Sequence, residues 1–354
     1  MKRFLALAVV AACGSSGGGP PGMQSGVDSG SGGGSNTGSG SDASNSHGDI
    51  SMGCKLAAPQ GALVAQVPKG YAGTCPTLGM TTSMDNVITS SGNARKFWVV
   101  VPANLQPSEK LPVIFLWHWL GGSAQDFFDR GEVQSAADQQ RFLAVIPQAK
   151  GDLQFTWPAT VIDSQARLDE EATFFDDMLS CVSAAYNVDS NCVSSAGVSA
   201  GALWTDQLVG VRGDWLSSFM SLSGGTGGLA IKPWTEPAHK MPAFVLWGGS
   251  MDVCGGVLAF TDLSHDLETH LTSENHFMIE CIHNCGHAVP PFEPPMNESK
   301  FHALWQFALD HPFWLYPDES PYSGGLPADM PDWCGLGMGG ATPRTGTCTD
   351  TNQC

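Results

Sequence analysis

Residues 197–201 read Gly-Val-Ser-Ala-Gly and place the hydroxyl of Ser199 between two glycines. The run before them (192–196, Cys-Val-Ser-Ser-Ala) is interpreted as a strand, and the run after them (202–208) is interpreted as a helix. A sharp strand-to-helix turn lifts a serine hydroxyl above the sheet edge, and flanking glycines let strand and helix approach closely. The chain contains 43 glycines, so the pattern alone is weak, and its strand-to-helix context is what favours a nucleophilic serine.

A carboxylate further along the chain could help to activate this serine. The hydroxyl needs a base to take its proton and a carboxylate to orient that base, and in an α/β-hydrolase the acid and the histidine follow the serine in that order, in loops after late strands. Asp252 fits the acid because it follows the strand-like run 243–247 and a Gly-Gly-Ser turn. A turn-forming or helix-capping aspartate is the alternative, while Asp262 and Asp266 lie in a predicted helix and are worse placed.

His287 is the candidate base. It follows the last strand-like run in the sequence Asn-Cys-Gly-His, where glycine permits a tight loop that aims the imidazole back over the sheet. His283 is the competing candidate, but it lies nearer the strand end. The spacing of His283, Cys285 and His287 also permits a metal site, although a disulfide is the expected fate of Cys285 outside the cytoplasm.

The third requirement is a pair of backbone N–H groups that can hydrogen-bond a tetrahedral oxyanion. One is expected from Ala200, directly after the serine, and the other from the loop 118–124, after the strand-like run that ends at Trp117. A glycine-rich turn with no further role is the alternative for this loop. The second donor is expected to be the N–H of either Trp119 or Leu120.

Around these residues, short apolar runs alternate with runs of helical periodicity. The predicted strands cover 94–102, 111–117, 142–147, 192–196, 219–222, 241–247 and 276–282, and the predicted helices cover 125–140, 168–186, 202–208, 258–271 and 299–309. Apolar strands that alternate with helices indicate an α/β fold, with a mainly parallel sheet covered by helices on both faces. We expect a catalytic domain over 51–310 and a Pro/Gly/Cys-rich extension over 311–354 that is stapled by disulfides and not packed as a regular layer.

The N-terminus has the features of an export signal. Lys2 and Arg3 precede an apolar run, residues 4–12, that is too short to span a bilayer. The sequence up to Cys13 is similar to the lipobox of bacterial lipoproteins, which predicts a signal peptide and a lipidation cysteine over 1–13, and an ordinary secretory peptide is the alternative. The Gly/Ser-rich residues 14–50 predict a disordered tether of roughly 35 Å that holds the domain at an outer membrane or cell surface.

The charge of the chain restricts its partners. Without residues 1–12 the sequence has 14 basic and 34 acidic residues, a formal charge of −20. Such a surface repels nucleic acid and anionic lipid, so we expect no nucleic-acid partner and contact with the membrane through the lipid anchor only. Neutral substrates are compatible with it.

The sequence contains 11 cysteines, and ten remain if Cys13 carries lipid. An even number could form five disulfides in an oxidising compartment. No Cys-x-x-Cys pair occurs, which argues against a zinc ribbon or a redox motif. The expected pairs, chosen by proximity along the chain or to the candidate site, are Cys54 with Cys75, Cys181 with Cys192, and Cys254 with Cys285.

These motifs together resemble a known family. The loop 118–124, the Gly-Val-Ser-Ala-Gly turn, the Gly-Gly-Ser-Met-Asp run and the Cys-Gly-His run are similar to the secreted α/β-hydrolase esterases that include polyhydroxybutyrate depolymerases and feruloyl esterases, of the carbohydrate esterase family 1 type. The resemblance covers about residues 86–310 and implies Ser199 as nucleophile, Asp252 as acid and His287 as base, with no metal or organic cofactor. The family usually has His-Gly where this chain has His-Trp; the backbone of Trp119 can still donate its N–H, but its side chain must find room, so the second oxyanion donor stays open between Trp119 and Leu120.

The resemblance implies hydrolysis of carboxylic esters through an acyl-enzyme, and it leaves the substrate open. Trp157 and Trp119 could line a pocket for feruloyl or acetyl groups on plant polysaccharide, and packing roles suit both tryptophans equally well. A polyhydroxybutyrate-type polyester is the second substrate, and it would favour an exposed apolar face near the site. A catalytically inactive surface lipoprotein that binds carbohydrate or a partner is the alternative of another class, and an exopeptidase ranks below both.

Overall fold

Within residues 53–256 and 258–350, which the computed structural model describes, the chain forms eleven strands and six α-helices. The strands are β1 (Ser83–Ser90), β2 (Asn93–Val100), β3 (Leu111–Trp117), β4 (Leu143–Pro147), β5 (Val188–Val198), β6 (Ser218–Leu222), β7 (Ala243–Trp247), β8 (Val253–Cys254), β9 (Leu258–Ala259), β10 (Met278–Ile282) and β11 (Cys334–Leu336). The helices are α1 (Ala124–Arg130), α2 (Val133–Gln140), α3 (Gln165–Ala185), α4 (Ala200–Arg212), α5 (Phe260–Ser273) and α6 (His302–Asp310).

Nine of these strands form one sheet in the order β1-β2-β4-β3-β5-β6-β7-β10-β11. The six strands from β4 to β10 run parallel, and β1, β2 and β11 are antiparallel to their neighbours. β8 and β9 form a separate antiparallel ribbon. The prediction of a mainly parallel α/β sheet is confirmed.

Helices cover both faces of the sheet, as the continuous apolar strands require. All seven residues of β3 are buried, and successive side chains point to opposite faces. Phe115 and Trp117 pack in the core shared with α3, α4 and α5, while Ile114 and Leu116 pack in the core shared with α1, α2 and α6. The two faces therefore hold two separate apolar cores on either side of one sheet.

Several boundaries differ from the sequence prediction. The single helix predicted over 125–140 is two helices, α1 and α2, because the chain turns at Gly131 and Glu132, and Glu132 has a φ of 48°. The helix predicted from residue 258 begins at Phe260, since the two residues before it pair with β8. The expectation that the tail packs outside the regular layers is wrong for β11, which pairs with β10 at the sheet edge.

The disulfide pairs expected from local proximity are wrong. Residue 54 lies near the start of β5 and residue 75 packs beside α3, so tertiary contacts, not chain proximity, select the partners. All nine cysteines in the described part of the chain are in disulfides. Four of these bridges are Cys54–Cys192, Cys75–Cys181, Cys281–Cys334 and Cys285–Cys348.

The predictions for the N-terminus, namely the signal peptide, lipidation at Cys13 and the tether over 14–50, lie outside the described residues. Among the described helices, none is both long enough and apolar enough to cross a membrane. The proposed boundary between a domain over 51–310 and an extension over 311–354 stays a prediction.

Candidate active site

The three side chains singled out by the sequence all lie at one edge of the sheet. Ser199 follows β5, Asp252 lies in the loop after β7, and His287 lies in the loop after β10. These strands are parallel, so their carboxyl ends meet at the same edge, which is where open α/β sheets place their sites. The fold thus brings together residues that are far apart in the sequence.

Ser199 occupies a sharp turn between β5 and α4. Its φ of 56° and ψ of −118° lie outside the regions that most residues adopt, which costs on the order of 1–3 kcal/mol. A Cβ at Gly197 would lie 2.0 Å from the carbonyl oxygen of Gly201, so strand and helix could not approach this closely with larger residues. The two glycines of the motif therefore serve the close packing expected from the sequence.

The three side chains form a continuous chain of hydrogen bonds. His287 Nε2 lies 2.8 Å from Ser199 Oγ, and His287 Nδ1 lies 2.6 Å from Asp252 Oδ1. Because a carboxylate only accepts, Nδ1 carries the hydrogen, which leaves Nε2 of the neutral imidazole free to accept the serine proton. This arrangement can turn the hydroxyl into a nucleophile.

Asp252 is fully buried and its second oxygen is also satisfied. Asp252 Oδ2 accepts hydrogen bonds from Ser223 Oγ at 2.8 Å and from the Gly248 N–H at 2.7 Å. Each donor stabilises the charged carboxylate and fixes the orientation of its plane. Ser223 was missed from the sequence, although its place directly after β6, at the same sheet edge, is a signal that could have identified it.

The imidazole of His287 is held from one side by an aromatic ring. Phe260, the first residue of α5, stacks on it with the ring centroids 4.3 Å apart and the planes 22° apart. No sequence motif indicated this contact. Stacking restricts rotation of the imidazole and keeps both nitrogens in line with their partners.

His283, the competing candidate base, has a different role in the structure. Its Nδ1 accepts a hydrogen bond from the Cys285 N–H at 3.2 Å, and burial lowers the pKa of His283 to about 4. It is therefore a neutral, buried residue that shapes the loop. Cys285 is bonded to Cys348, so it is not available as a metal ligand.

The loops that carry Asp252 and His287 touch each other through glycine. The Gly286 N–H donates to the Gly248 carbonyl at 3.2 Å, and a Cβ on Gly248 would lie 2.0 Å from the carbonyl oxygen of Gly286. Gly286 also has a φ of 65°, which favours glycine. This backbone contact sets the distance between Asp252 and His287.

The loop predicted to supply the second oxyanion donor lies beside the serine turn. Trp117 and Gly197 are paired at the carboxyl ends of β3 and β5. The indole of Trp119 packs against Phe127 of α1, with the ring centroids 6.1 Å apart, which is how the larger residue finds room. The choice between the N–H groups of Trp119 and Leu120 as the second donor stays open.

The structure corrects the expectation that Trp157 contacts substrate. Its side chain is 0% exposed, and its ring packs edge-on against Trp117 with the centroids 5.1 Å apart. Its Nε1–H donates to the His118 carbonyl at 2.7 Å. A residue enclosed in the core cannot line a pocket that a substrate enters from solvent. Trp157 instead supports the loop 118–124 through its hydrogen bond to His118.

The C-terminal tail braces the loop that carries His287. Cys348 is bonded to Cys285, and Arg344 donates from its backbone N–H to the Ile282 carbonyl at 2.9 Å. Asn284 links the same segments, since its Nδ2 donates to the Gly346 carbonyl at 2.8 Å. The expected bridge from Cys285 to Cys254 is therefore wrong, because the tail supplies the partner.

We expect the double substitution Cys285→Ala/Cys348→Ala to lower kcat for a p-nitrophenyl ester by about tenfold with a smaller change in KM, because a looser base loop misplaces the imidazole. The matched control is Cys281→Ala/Cys334→Ala, because the sequence separations of the two bridges are similar, 63 and 53 residues. The entropy of the loop that each bridge closes predicts that removing either bridge lowers the free energy of unfolding by about 4 kcal/mol. Steady-state kinetics and thermal melts of both variants check this, and equal kinetic losses in the two would contradict a specific brace.

The chain is similar in sequence to two curated feruloyl esterases. It is 22% identical to feruloyl esterase B of Talaromyces stipitatus over 222 residues, which cover 54% of this chain and 60% of that protein. It is 29% identical to feruloyl esterase D of Neurospora crassa over 165 residues, which cover 46% of this chain and 56% of that protein. The chain thus spans less than two thirds of either relative, and no protein-family model matches it.

Solved structures define the class of fold. The chain matches the native structure of the protein named sOPH with a TM-score of 0.57 at 17% identity, covering 81% of this chain and all of that one. It matches the complex of pOPH_S172C with DMSO with a TM-score of 0.57 at 16% identity, covering 79% of this chain and 99% of that one. The fold is that of an α/β-hydrolase. The resemblance to feruloyl esterases stated from the sequence is confirmed by the two sequence similarities.

Proposed function

We propose that the chain is a serine hydrolase of carboxylic esters that works through an acyl-enzyme. The observation that carries this proposal is the hydrogen-bonded chain from Asp252 through His287 to the hydroxyl of Ser199, at 2.6 and 2.8 Å. Similarity to feruloyl esterases supports the same chemistry.

In the proposed mechanism His287 takes the proton of Ser199 as the oxygen attacks the ester carbonyl. The buried carboxylate of Asp252 stabilises the imidazolium that forms. The oxyanion accepts hydrogen bonds from the Ala200 N–H and from the loop containing Trp119. His287 then protonates the leaving alcohol, activates a water molecule and releases the acid, which regenerates the serine.

Feruloyl or acetyl esters of plant polysaccharide are the substrates we favour. Both curated relatives are named feruloyl esterases, and the acidic chain is compatible with neutral polysaccharide esters. The burial of Trp157 removes one of the two aromatic residues considered for an aryl pocket, and Trp119, which is half-buried, remains a candidate.

A polyester substrate is the second candidate, and exposed apolar residues favour it. Phe260, which stacks on His287, belongs to a small apolar cluster with Ile231. Two segments lie next to that cluster, around residues 161 and 230, and a backbone hydrogen bond between these residues joins them. Both segments carry apolar side chains that are exposed to solvent. These are Val161 at 50%, Ile162 at 83% and Leu229 at 96%.

The test is a panel of esters given to the full chain in its oxidised form. We expect release of ferulate from methyl ferulate and from wheat bran, labelling by a fluorophosphonate, and at least tenfold slower clearing of a polyhydroxybutyrate suspension per active site. The reverse ratio would favour the polyester. A protein that binds glycan but neither hydrolyses an ester nor reacts with the fluorophosphonate would be the inactive surface lipoprotein.

A further inference from the structure

We propose that the indole N–H of Trp157 and the imidazole of His118 are positioning groups, which fix the two peptide planes that offer the second oxyanion donor. The inference rests on the proposed ester hydrolysis through Ser199. It gives a role to two buried polar groups that the triad itself does not use.

The peptide plane between His118 and Trp119 is held by Trp157. The Trp157 Nε1–H donates to the His118 carbonyl oxygen at 2.7 Å from within the core. Every peptide bond in the described residues is trans, so the Trp119 N–H points away from this carbonyl in the same plane. The indole therefore fixes the direction of the Trp119 N–H through the opposite edge of the peptide.

The next plane, between Trp119 and Leu120, is held by the ring of His118. His118 Nδ1 lies 3.0 Å from the Trp119 carbonyl oxygen, and its Nε2 accepts from the Ala149 N–H at 3.2 Å. A carbonyl only accepts, so the hydrogen is on Nδ1, and burial lowers the pKa of His118, which keeps the ring neutral. The Gly122 N–H donates to the same carbonyl at 3.0 Å, so the Leu120 N–H is fixed in turn.

The first of these planes, which contains the His118 carbonyl, lies against the turn that carries Ser199. A Cβ on Gly201 would lie 2.0 Å from the carbonyl oxygen of Trp117 and 2.8 Å from that of His118. The loop and the start of α4 are thus in backbone contact, two residues after Ser199. Because hydrogen bonds weaken steeply when the donor is misaligned, a rotation of either plane would reduce stabilisation of the oxyanion while Ser199 and His287 stayed in place.

The first test compares Trp157→Phe with Trp204→Phe. Trp204 is a close match, because it is also 0% exposed and also packs edge-on against Trp117, at 5.9 Å. Its Nε1, however, has no hydrogen-bond partner among the described residues. Both substitutions remove the same atoms from the same core, and only Trp157→Phe removes a bond to the loop.

The readout is the ratio of kcat/KM for a p-nitrophenyl ester to kcat/KM for the thionoester in which sulfur replaces the carbonyl oxygen. Sulfur is a weaker hydrogen-bond acceptor, so hydrolysis of the thionoester depends less on the oxyanion donors. We expect Trp157→Phe to lower the ester rate by about 10- to 100-fold and to lower this ratio by a similar factor. Trp204→Phe should leave the ratio unchanged.

A second pair of variants covers the case in which Trp157→Phe does not fold. His118→Asn keeps a side-chain N–H near the position of Nδ1, whereas His118→Leu removes it. We expect the asparagine variant to retain at least tenfold more of the ester-to-thionoester ratio than the leucine variant.

Equal ratios in these pairs, with ester activity retained, would overturn this inference and leave the proposed function standing. Hydrolysis by the unaltered protein tests the proposed function itself. If that protein hydrolyses neither the ester nor the thionoester, there is no oxyanion to stabilise. That result would overturn the proposed function and this inference together.

Discussion

Replacing Ser199 by alanine is expected to reduce kcat/KM for p-nitrophenyl acetate by 10⁴-fold or more, on the order of the loss that removal of a catalytic serine causes in other hydrolases. The substitution deletes the oxygen that lies 2.8 Å from His287 Nε2 and changes nothing else in the hydrogen-bonded chain. It should also abolish covalent labelling by a fluorophosphonate. Rates of ester hydrolysis and mass spectrometry of the labelled protein measure both effects.

Ser194→Ala is the matched control for this substitution. Ser194 lies in the same strand, β5, and its buried hydroxyl is hydrogen-bonded to Ser218 Oγ at 2.9 Å, away from the triad. Losing that hydroxyl should lower the melting temperature more than Ser199→Ala does while activity is preserved. A Ser199→Ala protein that melts normally and keeps more than about one hundredth of its activity would exclude Ser199 as the nucleophile.

The candidate site was accessible from the sequence because its parts carry local signals. The turn at Ser199 needs two glycines between a strand and a helix, and both were visible as residue types. Asp252 and His287 follow apolar runs, and the rule that parallel strands end at one edge converts that order into proximity. The role of each residue stays a prediction that the variants test.

The parts that the sequence did not reveal depend on tertiary contacts. Cys54 bonds to Cys192, 138 residues away, and no local pattern selects that partner over Cys75. β11 has three residues in a Pro- and Gly-rich tail, too few to show strand periodicity. Trp157 is an aromatic residue of the kind that lines pockets, and only the structure, in which it packs against Trp117 at the end of β3, shows that it is buried.

Replacing Asp252 by asparagine is expected to reduce kcat by about 10⁴-fold, and the geometry of the carboxylate explains why. Asp252 Oδ2 accepts from the Gly248 N–H and from Ser223 Oγ, so an asparagine must place its amide oxygen there. Its NH₂ group then faces His287 Nδ1. Because an NH₂ group only donates, Nδ1 must become the acceptor, and the ring hydrogen moves to Nε2.

In that tautomer the imidazole cannot take the proton of Ser199, although every heavy atom of the triad stays in place. The expected activity loss is therefore accompanied by a diagnostic change in the ¹⁵N chemical shifts of His287, from a ring protonated on Nδ1 to one protonated on Nε2. A loss of activity without this change would indicate displacement of the side chain and not the wrong tautomer.

Ser223→Ala separates the orientation of the carboxylate from its charge. It removes one donor to Asp252 Oδ2 and leaves both the Gly248 N–H and the bond to His287. We expect kcat to fall by about tenfold or less, and we expect His287 to stay protonated on Nδ1. If Asp252→Asn costs no more than Ser223→Ala, the carboxylate does not set the tautomer, and the acid of the triad must be sought elsewhere. The burial of Asp252 argues against that outcome, since the carboxylate is enclosed and the imidazole of His287 is one of its three hydrogen-bond partners.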